Sequence, residues 1–126
     1  MHLKSKFLLS WFILTILIVS TIEPTNGQNA SDLKFNEILV VNDSSNIDDF
    51  GMHSSWIEIF NSAHNTVDIG GCYLTDDLSN PTKYWIPAGD PITKIPSQCY
   101  ILFWADNKPT RGIRHLNFEL KGASVI

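Results

Sequence analysis

Two glutamates, Glu37 and Glu58, each interrupt a stretch otherwise suited to a hydrophobic core, FNEILVV and WIEIF. A pair of carboxylates is the basic equipment of a glycosidase, which needs them about 5–9 Å apart across a cleft. The competing role is structural: carboxylate oxygens accept hydrogen bonds from backbone N–H groups or polar side chains and hold loops at a sheet edge. The structural role is favoured here. Glu58 stands between Ile57 and Ile59, on the strand face of Trp56 and Phe60, where an unpartnered charge is costly. Neighbouring loop N–H groups and the Asn36 and Ser55 side chains are its expected partners.

The remaining polar residues form no recognisable catalytic set. Asp43, Asp48 and Asp49 would need to meet Asp76 and Asp77 to surround calcium, which takes about six to eight oxygens. Their spacing is not that of an EF-hand, and Asp and Asn are common turn formers. His53, His64 and His115 match no paired-ligand pattern, and no G-x-S-x-G elbow occurs. Gly70-Gly71 precedes Cys72 without the lysine and helix of a phosphate loop, so positive φ is its expected use. Cys72 and Cys99 lie in no CxxC and have no histidine at ligand spacing. A redox or zinc role has no support, while one structural bridge and two free thiols both remain open. No catalytic residue, metal or cofactor is expected.

The elements that must position these residues are short strands. Phe35–Val41, Trp56–Phe60, Thr66–Ile69, Cys72–Thr75, Lys83–Pro87, Ile92–Ile95 and Tyr100–Ala105 alternate with turn-rich stretches such as Asn42–His53 and Asp76–Thr82. Phe118–Leu120 is a candidate further strand. Both faces of YILFWA are apolar, which predicts a central strand buried on both sides. Trp56, Trp85 and Trp104 all fall in expected strands and are expected in the core. No stretch after residue 27 keeps a helical period over ten residues, so a sandwich or barrel is predicted.

The N-terminus reads differently. Lys4 and Lys6 precede an apolar run from Phe7 to Ile22, and Thr25 and Gly27 are small residues before a polar sequence. These are the parts of a secretory signal peptide cleaved after Gly27. The run is shorter than the about 17–25 residues that usually span a bilayer, so membrane attachment is expected only if it stays uncleaved. The whole chain carries a net charge of −4, and removing Lys4 and Lys6 with only Glu23 makes the remainder more acidic. Binding to nucleic acid draws on clustered Lys and Arg, and only Lys108, Arg111 and Arg114 lie close together. Nucleic acid is therefore not the expected partner.

The order of the pieces resembles the lamin tail domain family, closest to its exported bacterial members. Phe35-Asn36-Glu37-Ile38, Asp49-Phe50-Gly51, Ser55-Trp56-Ile57-Glu58-Ile59-Phe60-Asn61 and Val67-Asp68-Ile69-Gly70-Gly71-Cys72-Tyr73-Leu74-Thr75-Asp76-Asp77 carry the likeness. Pro81-Thr82-Lys83-Tyr84-Trp85-Ile86-Pro87, Tyr100-Ile101-Leu102-Phe103-Trp104-Ala105 and His115-Leu116-Asn117-Phe118-Glu119-Leu120 continue it in register. The resemblance implies an immunoglobulin-like β-sandwich over residues 35–126, after a signal peptide at 1–27 and a flexible leader at 28–34. It makes Glu37, Trp56, Glu58, Gly71 and Trp104 framework residues. Cys72 replaces the family's aromatic and Cys99 its glycine, and this joint departure points toward a Cys72–Cys99 pair. Family members continue beyond F-x-L with a glycine turn and further strands, so an incomplete sandwich is expected here. The implied function is a non-catalytic, secreted or cell-envelope module that binds or positions an extracellular macromolecule. The alternative is an N-terminal accessory fragment of a larger exported hydrolase or nuclease.

Overall fold

The computed structural model describes residues 30–121. The expected signal peptide, Gln28 and Asn29 of the leader, and residues 122–126 lie outside the described residues. The described chain is all-β, with antiparallel sheets and only 3-10 turns for helical structure. No helix among the described residues is long and apolar enough to cross a membrane.

Strands β1 (Leu33–Leu39), β2 (Trp56–Asn61) and β7 (Tyr100–Trp104) form one antiparallel sheet in the order β1-β2-β7. Strand β2 is central because its period-2 pattern buries both faces. Ile57 and Ile59 enter the main core, while Trp56 lies opposite Trp104 and Phe60 opposite Tyr100 on the other side. The Phe60 and Tyr100 ring centroids are 4.8 Å apart, a cross-strand aromatic pair of the kind that fixes register. Strand β1 carries a bulge: Phe35 faces Ile59 and Glu37 faces Glu58, so Asn36 is the extra residue.

Four two-residue strands complete the framework. Strand β3 (Val67–Asp68) pairs with β6 (Lys94–Ile95), and β4 (Tyr73–Leu74) pairs with β5 (Tyr84–Trp85). Ile69, Leu74, Tyr84, Ile86 and Ile95 from this part join Ile57, Ile59, Ile101 and Phe103 of the larger sheet in one core. Leu116 and Phe118 close it from the C-terminal segment. Each fully buried Ile or Phe contributes about 1.5–3 kcal/mol relative to exposure. Gly71, at φ +87°, turns the chain between β3 and β4, in a region that disfavours side chains. At Gly70 the constraint is space, since a Cβ would stand 3.0 Å from the Ala88 Cα.

Several expectations are corrected. The ordered chain begins before Phe35: Ala30–Asp32 forms a 3-10 turn and Leu33 already pairs with Asn61. Backbone pairing, invisible in the polar composition, extends the strand. The YILFW strand lies at a sheet edge, and Tyr100 is exposed. Its Trp104 end is covered instead by Arg114–Leu116, through the bonds Trp104 N–H to Arg114 O (2.7 Å) and Leu116 N–H to Trp104 O (2.8 Å). Trp85 is 51% exposed rather than in the core, because the short β4–β5 pair turns Tyr84 inward and Trp85 outward. Phe118–Leu120 forms no strand: its backbone pairing is an isolated bridge from Glu119 to Asp106, while Phe118 packs in the core.

Candidate functional site

The densest group of chemically capable side chains gathers where the β1–β2 loop meets the segment after β7. Asp48 enters from the first loop, and Asp106, Arg111 and His115 from the second. Local turns aim the two carboxylates. Asp48 Oδ1 accepts from the N–H groups of Phe50 and Met52, both at 2.9 Å, and Asp106 Oδ1 accepts from Lys108 N–H at 3.1 Å. The other oxygens converge. Arg111 lies 3.5 Å from Asp48 Oδ2 and 3.4 Å from Asp106 Oδ2, and His115 Nδ1 is 2.9 Å from that same Asp106 oxygen. Asp48, Asp106 and His115 are buried, whereas Arg111 reaches the surface.

Phe50 shields the mouth of the group. Its ring lies edge-on to His115, with centroids 5.6 Å apart, and under the Arg111 guanidinium at 4.4 Å. Burial pushes the Asp48 carboxyl up. The Met52 and Phe50 N–H groups, with the Arg111 charge and the nearby His115, outweigh that effect and hold it below the ordinary carboxylate range. Compensation of this kind is what allows a carboxylate to stay charged away from water.

A second constellation is structural. The Asn61 side chain is fully buried and its Nδ2 donates to the carbonyls of Asn65 (2.9 Å), Ile95 (2.9 Å) and Pro96 (3.1 Å). Its Oδ1 accepts from Ala63 N–H at 2.9 Å. One side chain thus ties the end of β2 to the β6–β7 turn, where Gln98 adopts φ 57° and donates its backbone N–H to Asn61 O. Across the molecule, Thr93 Oγ1 donates to Asp68 Oδ1 at 2.6 Å. That hydroxyl, with the Gly70 N–H, keeps the Asp68 carboxyl below its usual range despite the opposing effect of burial. Burial pushes the Tyr84 phenol up, and its hydroxyl donates to Ile113 O at 2.7 Å.

Family models, curated proteins and solved structures contain no match to this chain.

The residues singled out in the sequence fall in separate places. Glu37 and Glu58 lie opposite each other on β1 and β2, and Glu58 Oε1 accepts from Asn36 Nδ2 at 2.7 Å. The bulge at Asn36 supplies that donor. Trp56 and Trp104 are buried as a cross-strand pair, and Gly71 occupies its positive-φ turn. Cys72 and Cys99 are free and exposed, so the expected bridge is not formed. They belong to separate backbone turns: Cys72 N–H donates to Ile69 O beside β4, and Cys99 N–H to Pro96 O beside β7. The two aspartate loops use different partners. Asp49 pairs with Arg114 at 3.1 Å, Asp76 with Lys83 at 2.7 Å, and Asp77 accepts from Ser79. Asn61, Arg111 and the Asp48–Asp106–His115 grouping were not legible as sites. The only signal was local: each aspartate begins a turn that caps the N–H two residues on.

Proposed function

We propose that this chain is a non-catalytic, exported module of the lamin-tail type, an immunoglobulin-like β-sandwich that binds or positions another macromolecule. Its contact surface is the open edge of β1. The observation that carries the reading is a contrast within one sheet. Glu58 is held by Asn36, whereas β1 exposes Phe35 (63%) and Ile38 (51%) beside an edge with no partner among the described residues. A groove of about 260 Å³ adjoins that edge, lined by Leu33, Phe35, Ile59, Tyr73, Leu74 and Ile86 among others. An unpaired edge next to apolar pockets suits an extended polypeptide, which gains main-chain bonds from the strand and side-chain contacts from the groove.

The same open edge favours a second reading, in which the domain is an accessory part of a larger exported hydrolase or nuclease whose own further segment lies on β1. A photoreactive residue placed at position 35 or 38 in the producing cell tests both. Leu78, 98% exposed in the turn between β4 and β5 and not among the groove residues, serves as the control position. Adducts at 35 and 38 but not at 78 are expected. Coupling to a separate, defined protein supports the first reading, and coupling within one longer polypeptide supports the second. Equal yields at all three positions, or none, contradict β1 as the contact surface.

A further inference from the structure

We propose that Asp48, Asp106 and His115 form a binding site for a divalent transition metal of the zinc type, with Arg111 as the cation it displaces. One ligand atom from each of the three residues, two carboxylate oxygens and one imidazole nitrogen, lies within 4.8 Å of the others. Zinc bound at about 2.0–2.2 Å to such donors holds them no more than about 4.4 Å apart, so the three close in slightly around the ion. The three side chains are buried, and the carboxylates are already aimed. Their Oδ1 atoms are anchored by the N–H groups of Phe50, Met52 and Lys108, leaving the Oδ2 atoms to converge. Anchoring of this kind is how outer hydrogen bonds hold metal ligands in place.

The position of Arg111 supports the assignment. Its contacts of 3.4 and 3.5 Å to the two Oδ2 atoms are much longer than the about 2.7–2.9 Å of a well-made charge-assisted bond. A positive charge is needed between these carboxylates, and the guanidinium supplies it from the rim. Its side chain is 22% exposed and rests on the Phe50 ring, so it can swing outward when a metal enters. The donor set selects the class of ion. A nitrogen with two carboxylates suits zinc and its neighbours, while calcium would need about six to eight oxygens. Three protein ligands leave a further coordination position for water or for a donor from a partner. The site is separate from the β1 surface and goes beyond the reading proposed above.

Isothermal titration of zinc into the chelator-treated protein, prepared without a histidine tag, tests the site, with cobalt absorption as a second readout. One zinc per chain is expected, together with a visible cobalt band and a raised melting temperature. Asp106→Asn and His115→Gln should each weaken binding by at least about tenfold, the scale seen when metal-site interactions are lost. Arg111→Gln removes the competing cation and should tighten it. Should the ligand variants fail to fold, the wild type and Arg111→Gln still decide. Absence of zinc binding in both overturns the proposal and leaves Arg111 as a permanent counter-ion. Undiminished binding in folded His115→Gln also overturns it, and assigns the ion to exposed histidines such as His53 and His64.

Discussion

Replacing Asn61 should be among the most damaging changes in the domain. The side chain is fully buried: its two N–H groups are shared among the carbonyls of Asn65, Ile95 and Pro96, and its oxygen accepts from Ala63 N–H. In Asn61→Ala the Ala63 N–H is orphaned at about 1–3 kcal/mol. The three carbonyls each keep a second lone pair and lose less. A total of about 3–5 kcal/mol follows, a large share of the about 5–15 kcal/mol that holds a typical domain together. Asn61→Asp keeps the shape but turns a carboxylate toward three carbonyl oxygens. Its folded pKa must rise above the unfolded value, so its deficit is small in acid and grows as pH climbs past about 4. Urea unfolding followed by circular dichroism at pH 4 and pH 7 reads both effects. A pH-independent deficit in Asn61→Asp, or a loss below about 1 kcal/mol in Asn61→Ala, would refute the reasoning.

Three further outcomes are expected. Asp48 and Asp68 have depressed carboxyl pKa values, so they stabilise the fold above the ordinary carboxylate range and lose that contribution as pH falls through their folded values. Below about pH 4, urea midpoints of the wild type should drop faster than those of Asp48→Asn or Asp68→Asn. Cys72 and Cys99 are both exposed and unpaired; a thiol reagent should modify both in native, unreduced protein, and a mass two units lower with no reaction would instead reveal a bridge. N-terminal sequencing of exported material should begin at Gln28, and a membrane-pelleting product beginning at Met1 would indicate an uncleaved anchor.

What could be read in the sequence was whatever local alternation dictates. WIEIF announced β2 and the split of its two faces, because period-2 burial is written directly into neighbouring residues. YILFW announced a strand but misled about its place. Two apolar faces do not reveal whether the far edge is met by another strand or, as here, by the Arg114–Leu116 segment. Trp85 misled for a related reason: in a two-residue strand, hydrophobicity does not say which face turns inward. Asn61 gave no sign of its role, since nothing nearby in sequence names the carbonyls of Ile95 and Pro96 that it holds. The grouping of Asp48 with Asp106, Arg111 and His115 depends on two loops meeting in space. Sequence offered only the separate turns that each aspartate caps.

That Glu58 ties the β1 bulge to β2 through Asn36, and performs no chemistry, is tested most directly by Glu58→Gln, measured for urea unfolding alongside a panel of hydrolase substrates. The glutamine keeps an acceptor for Asn36 Nδ2 but loses the charge that shortens that bond to 2.7 Å, and Glu58 is only half-buried. The predicted result is a loss of about 0.5–1.5 kcal/mol in stability with no activity changed. An unchanged or raised urea midpoint together with loss of a hydrolytic or metal-dependent activity would contradict the structural role and make Glu58 a catalytic residue.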